Sequence, residues 1–266
     1  MKILAIIPMK NFVKGVIPIL EFFASNEVAR RYVKEVWVYD DYSDKEEYEQ
    51  INLLIHRYKK RGHTFKHFAK PIASLNTAYS NAGMYATRTH FDAVLTCESD
   101  AVPCQTTLCA MLHCWHNAPS GWKDIPKDAF RKWEFKSNGA PIAKKIKAPI
   151  KWKWEWVSIS PMYSCGNNIC YPSTECWLKE GQNGNCYEIK EVENVGRVSL
   201  VRSVPFLFTL WKPWALCQIN DRMPSVYSLD GQLGVHLWQS GYYNMRLLDH
   251  HIQHIGGGKM TKEGNK

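Results

Sequence analysis

The tripeptide Glu98-Ser99-Asp100 is where this chain carries its clearest chemistry. It closes an apolar run, Phe91-Asp92-Ala93-Val94-Leu95-Thr96-Cys97, and Pro103 follows shortly after. A short buried strand ending in two carboxylates one residue apart can hold a hard divalent cation. Mg²⁺ and Mn²⁺ favour oxygen ligands, and Mg²⁺ usually takes one or two protein carboxylates together with the phosphates of a substrate. Such a site points to phosphate-bearing substrates. An acidic pair at a strand end is also a common solvated turn, so its surroundings decide its meaning.

Alternating elements must position these carboxylates. Ile3 to Ile7 is continuously apolar, the pattern of a strand buried on both faces. Pro18 to Tyr32 has helical spacing, with Ile19, Phe22, Phe23 and Val28 on one face. Val36-Trp37-Val38-Tyr39 predicts a second strand ending at Asp40-Asp41, and Lys45 to Arg61 an amphipathic helix closed near Gly62. Thr64 to Phe68 predicts a third strand, Leu75 to Thr89 a helix, and 93–97 the fourth strand. This β-α-β-α-β-α-β order implies an α/β fold with a mostly parallel central sheet and helices on both faces. Ligands in such sheets bind beyond the carboxyl ends of the strands, where Pro8, Asp40-Asp41 and Glu98-Ser99-Asp100 all fall. Later in the chain, Val198 to Trp214 completes the sheet. Ser228 to Ser240 reads as a helix beginning near Asp230, and Tyr242 to Leu248 as a strand.

The bulk numbers bound the function. A chain of 266 residues, 45% hydrophobic, fits one large domain or one domain with an insertion. A net charge of +9 favours acidic partners such as nucleic acid, phosphates or an anionic membrane surface, although many basic proteins bind no polymer. The start, Met1 to Pro8, is too short for a signal peptide. No apolar run reaches the roughly 18 residues of a membrane span. The expected location is cytoplasmic, the host cytoplasm if the source is viral. Nine cysteines without C-x₂-C pairs read as reduced packing residues, with a zinc site as the lesser reading. Between 117 and 160, ten Lys and Arg face four Asp and Glu, and Trp133, Trp152, Trp154 and Trp156 are interleaved. Lys151-Trp152-Lys153-Trp154-Glu155-Trp156 alternates with a period of two. Two readings stay open: a Trp face packed on the domain, or an acceptor-binding surface of cations and stacking rings.

Taken in order, these segments resemble the nucleotide-sugar glycosyltransferases of GT-A (Rossmann-like) fold, in particular the inverting family-2-like group. Pro8-Met9-Lys10-Asn11 resembles the loop after strand one that borders the nucleoside. Val38 to Asp44 resembles the end of strand two, where an Asp contacts the base; it is one residue short, leaving Asp40 and Asp41 as alternatives. Ser80-Asn81-Ala82-Gly83 resembles an Arg-Asn-x-Gly helix motif, and Glu98-Ser99-Asp100 the metal-binding DxD. Ser164 to Ile169 resembles a Gly-Gly-Asn segment near the acceptor, Leu229 to Gly234 the segment supplying the catalytic base, and His251 to Gly257 a late x-His-x-Gly segment. Four departures stand out: Glu98 for the first Asp of DxD, Ser80 for Arg, Leu229 for the acid before the base, and His236 where Arg is frequent.

The resemblance implies a single GT-A domain over 1–266. Residues 1–115 form its nucleotide-sugar-binding half, 116–160 a basic Trp-rich insertion, 161–258 the acceptor and catalytic half, and 259–266 a mobile tail. It implies Mn²⁺ or Mg²⁺ held by Asp100, Glu98 and His254, and Asp230 as the base. The donor, with UDP-sugars preferred, would be bound through Pro8, Lys10, Asp40 or Asp41, Asn81 and Ser99, and the acceptor through Trp152, Trp154, Gly166 and Asn167. One base opposite the leaving group implies direct displacement with inversion. For the acceptor, the charge and the Lys/Trp segment favour a 5-hydroxymethylated base in DNA, as in phage enzymes. A cell-envelope glycan or lipid-linked sugar is the alternative. A domain that binds nucleotide sugar or nucleic acid without turnover is a third reading, which Glu98 and Leu229 allow.

Overall fold

Apolar runs in the first hundred residues become the parallel centre of one large sheet. The computed structural model describes residues 1–69, 75–122, 131–135, 141–145, 147–165, 168–170, 186–219 and 229–254. Strands β1 (Ile3–Met9), β2 (Val33–Asp40), β3 (Phe65–Ala69) and β4 (Ala93–Cys97) pair in parallel in the spatial order β3-β2-β1-β4. All of β1 and β4 is buried, as strands covered on both faces must be. The chain steps outward from β1 to β3, then returns to lay β4 on the other side of β1. This reversal opens a crevice beyond the carboxyl ends of β1 and β4.

Helices α1 (Val13–Ser25) and α2 (Glu27–Tyr32) join β1 to β2, and α3 (Lys45–Lys60) joins β2 to β3. Helix α4 (Leu75–Arg88) precedes β4. The single helix expected over Pro18–Tyr32 begins earlier and is split. Asn26, with extended backbone, accepts a hydrogen bond from the Ala29 amide at 2.9 Å and starts the second helix. After β4 come the two-residue β5 (Ala101–Val102) and α5 (Gln105–His116), a helix absent from the sequence expectation.

The second half extends the same sheet. A hairpin of β6 (Arg131–Phe135) and β7 (Pro141–Lys145) forms a separate two-stranded sheet. Strand β8 (Glu155–Cys165) carries the short β9 (Asn168–Cys170) at its carboxyl end. Then follow β10 (Cys186–Val192), β11 (Gly196–Val201), β12 (Phe208–Trp211), α6 (Pro213–Leu216), α7 (Leu229–Gln239) and β13 (Tyr242–His254). The full order is β10-β11-β13-β8-β12-β4-β1-β2-β3. Strand β12 is antiparallel to β4 and β8, and β13 runs parallel to β8. The carboxyl ends of β1, β2, β4, β8 and β13 therefore share one edge. The expected α/β fold holds, with parallel pairing in the β1–β4 group and again between β8 and β13.

Strand β13 runs six residues past the expected end at Leu248, because a bulge between Leu247 and His251 carries polar residues along β8. Asp249 in that bulge accepts hydrogen bonds from the Arg197 backbone amide at 2.7 Å and from Arg197 Nε at 3.0 Å. The alternation at 151–156 appears as exposure: Lys151, Lys153 and Glu155 are exposed, while Trp152, Trp154 and Trp156 are half-buried against the core. Only Glu155 and Trp156 of that stretch belong to a strand. Gly166, Asn167, Ser228 and the tail from 259 lie outside the described residues. Among the described residues, no helix is long and apolar enough to cross a membrane.

Candidate active site

Asp100 and His254 meet at the shared carboxyl edge, although 154 residues separate them. Asp100 follows β4, His254 ends β13, and His254 pairs with Ala101 across the β5–β13 ladder. The His254 ring donates from Nε2 to Asp100 Oδ2 at 2.8 Å. This bond holds the imidazole above its usual range, aided by the Asp100 and Glu98 charges and opposed by burial. Asp100 Oδ1 is buried and has no hydrogen-bond partner among the described residues.

Glu98 sits two residues upstream, its backbone amide fixed to the Leu207 carbonyl at 2.9 Å. Burial pushes its carboxyl up to about 8, with repulsion from Asp100 and then Asp230 adding to the effect and His254 opposing it. Near neutral pH Glu98 therefore keeps its proton. Asp230 lies in the first turn of α7, where the helix dipole favours a carboxylate, and accepts a hydrogen bond from the Gly231 amide at 2.7 Å. Gly234 lets this helix approach: an added Cβ would lie 2.2 Å from the Ser203 Cβ.

Two residues absent from the sequence expectation shape the cluster. Tyr79 of α4 is buried and stacks on Phe206, with ring centroids 4.4 Å apart. Burial raises its hydroxyl well above the usual range, and the charges of Glu98, Asp230 and Asp100 act in the same direction. Gly15 is the second. An added Cβ there would lie 2.0 Å from the Ser99 carbonyl oxygen, so the first turn of α1 presses directly on the acidic tripeptide. A glycine inside a helix costs about 1 kcal/mol relative to alanine and so calls for a packing reason. That was the only signal available for Gly15.

On the β1–β2 side, Asp40 and Asp41 are in different situations. Asp40 is fully buried; its Oδ1 accepts from the Ser43 amide at 2.8 Å, and its Oδ2 meets His67 Nε2 at 3.2 Å. Asp41 is partly exposed and faces Lys10 Nζ at 3.3 Å. The two loops are stitched together: the Asp44 amide donates to Asn11 Oδ1 at 2.6 Å, and the Asn11 amide to Ser43 Oγ at 2.8 Å. Tyr42, with φ of 48°, presents a ring that is 62% exposed beside Asp41. Pro8 is buried at the end of β1. Asn81 hydrogen-bonds Tyr39. Ser99 is half-buried, with its carbonyl against Gly15.

Trp152 and Trp154 do not join this group. They precede β8, at the end of the sheet opposite His254. Since Glu155 pairs with Tyr242 and Cys165 with His254, β8 separates the two places by roughly 30 Å at about 3.3 Å per residue. Trp152 packs edge-on against Trp238 at 4.7 Å. Gly166 and Asn167, the other expected acceptor residues, lie outside the described residues.

A metal fits the Asp100 end of the cluster. Among the described residues, no group of three or more His, Cys, Asp and Glu side chains forms a ready-made cage. An ion bound largely through substrate phosphates needs only one or two protein ligands, and the unpartnered Asp100 Oδ1 beside His254 supplies that chemistry.

No protein-family model matches the sequence, and no curated protein matches it. Solved structures do match in fold. TarS 1–349 from S. aureus has a TM-score of 0.54 and 14% identity over 96% of this chain and 60% of that one. GalNAc-T7, solved with UDP, GalNAc and Mn²⁺, has a TM-score of 0.53 and 11% identity over 96% of this chain and 44% of that one. The mannosyltransferase PcManGT from Pyrobaculum calidifontis, solved with GDP-Man and Mn²⁺, has a TM-score of 0.53 and 11% identity over 97% of this chain and 58% of that one. The chain thus spans between 44% and 60% of the length of these proteins. At such identities the likeness establishes the fold, which is that of the GT-A glycosyltransferases.

Proposed function

We propose that the chain transfers a sugar from a nucleotide-diphosphate sugar to an acceptor hydroxyl at the cluster of Glu98, Asp100, Asp230 and His254. The observation that carries this reading is the 2.8 Å Asp100–His254 pair at the crevice edge, with Asp230 close enough to act on Glu98. The fold shared with glycosyltransferases supports it.

Asp230 is the proposed general base. It takes the proton from the acceptor hydroxyl as that oxygen attacks the anomeric carbon and the bond to the diphosphate breaks, which inverts the configuration. A positioned carboxylate contributes typically 10²–10⁴-fold in this role. Asp100 and His254 are the proposed ligands of Mn²⁺ or Mg²⁺, which when bound supplies Lewis-acid neutralisation of the departing diphosphate. In the metal-free fold Glu98 keeps its proton near neutral pH, and a cation held at Asp100 would oppose the neighbouring negative charge and free the Glu98 carboxylate as a further oxygen ligand. For the nucleoside, Asp41 is the better partner than Asp40, whose two oxygens are already engaged within the fold. Lys10 and the exposed Tyr42 ring border the same place.

Charge favours an anionic acceptor, and DNA carrying a hydroxymethylated base is the form to test first. Trp152 and Trp154 are half-buried against the core far from Asp100, which leaves net charge as the support for that choice. The test is calorimetric titration of UDP and GDP in Mn²⁺, repeated with Asp100→Asn, followed by sugar incorporation into hydroxymethylated and unmodified DNA. Nucleotide binding that depends on Mn²⁺ and on Asp100 is expected. Equal binding by both proteins would remove Asp100 from the site. Equal labelling of both DNAs, or none, would remove the hydroxymethylated base as acceptor.

A further inference from the structure

A second charged concavity lies at the opposite end of the sheet, below the amino ends of β2 and β3. It encloses about 270 Å³ and is lined by Arg30 and Lys34 from the α2–β2 segment, Arg61 and His63 from the α3–β3 turn, and apolar Val36 and Phe65. Among the described residues no carboxylate lines it. Neither the Arg30 nor the Arg61 guanidinium has an ion-pair or hydrogen-bond partner among the described residues. The blander account is helix capping: α2 ends with Arg30 and Arg31, and α3 with Arg57, Lys59 and Lys60. Each helix end carries only about half a negative charge, which falls well short of this many cations.

We propose that this concavity binds a phosphate group, held between the Arg30 and Arg61 guanidiniums with Lys34 and His63 at its side. Guanidiniums suit this ligand because their planar forks match two phosphate oxygens at once. The volume accommodates a phosphate or a small phosphorylated molecule and lies below the usual range for drug-sized ligands. His63 is a built-in reporter. Its imidazole is held below its usual range by burial and then by Arg30 and Arg61, so a bound anion opposes those two charges and raises it. Two sources of the phosphate share this chemistry: a free phosphate or phosphomonoester, and a phosphodiester of a polymer threaded past the site. Neither depends on sugar transfer, since the concavity lies across the sheet from Asp100.

The test follows the His63 ring resonances of the full chain at pH 7 during titration with sodium phosphate, with sodium chloride at matched ionic strength as reference. Saturable movement with phosphate alone is expected. In Arg30→Gln/Arg61→Gln the apparent affinity should fall at least tenfold, and Arg30→Lys/Arg61→Lys should recover part of it. Both are exposed positions. A duplex oligonucleotide forms the second arm. Displacement of phosphate by the duplex at the same resonances identifies the polymer as source; unmoved resonances identify the free anion. Movement equal in phosphate and chloride, or full affinity in the Gln variant, would overturn the site.

Discussion

Replacing Glu98 by glutamine removes its ionisation while keeping its shape, and the pH dependence of stability reads out the result. In the unfolded chain this carboxyl ionises near its ordinary value of 4.5, whereas in the fold burial, Asp100 and Asp230 push it up to about 8. Between those values the folded protein keeps a proton that the unfolded chain has released. Wild-type stability must then fall as pH rises, by up to about 1.4 kcal/mol per pH unit. From pH 5 to pH 7.5 the unscreened effect is about 3.1 kcal/mol, and the partial exposure of Glu98 reduces the expectation to about 2 kcal/mol. The glutamine variant lacks this contribution. The assay is urea unfolding of both proteins across that range, comparing their difference so that other titrating groups largely cancel. A steadily growing advantage of the variant with pH is predicted. A difference constant to within about 0.5 kcal/mol would show that Glu98 ionises normally, and the account of three carboxylates crowded at one edge would fail.

Other perturbations separate chemistry from scaffold. Asp230→Asn should lower turnover by about 10²–10⁴-fold while leaving donor affinity, measured by calorimetry, within about twofold; an unaffected rate removes Asp230 as base. Gly15→Ala puts a Cβ 2.0 Å from the Ser99 carbonyl, so it should cost about 1–3 kcal/mol in urea unfolding and depress turnover together. A variant of full stability and activity would mean that the α1 start does not support the tripeptide. Trp152→Phe should cost about 1 kcal/mol through its weakened contact with Trp238 and leave kcat/KM unchanged, as expected of a ring roughly 30 Å from the reaction. A specific loss of kcat/KM would restore Trp152 to the acceptor site.

The first parallel strands were largely legible in the sequence because β1 and β4 are buried on both faces. Ile3–Ile7 and Ala93–Cys97 admit no competing pattern, and the alternation with helices implies their parallel order. Legibility fell where one polar side chain outweighs periodicity. Asn26 splits a continuous helical pattern by capping, and β13 runs past its expected end at Leu248 because residues 248–250 bulge along β8. The order of motifs singles out Glu98, Asp100, Asp230 and His254 as candidates, while the approach of His254 to Asp100 depends on β13 reaching Ala101. Asp40 and Asp41 could not be told apart because the difference lies in His67, supplied by another strand. Tyr79 was silent for the same reason: its partner Phe206 comes from far along the chain.

The central claim is that the Asp100 edge is a sugar-transfer centre, and release of nucleotide diphosphate from a panel of nucleotide sugars tests it most directly. In Mn²⁺ the wild-type chain should release nucleotide from at least one donor. Asp100→Asn and Asp230→Asn, each verified as folded, should lose that release by at least 100-fold, at the low end of what a positioned carboxylate contributes. Release that persists in both variants, or a folded wild-type chain that binds no nucleotide sugar in Mn²⁺, would contradict the account.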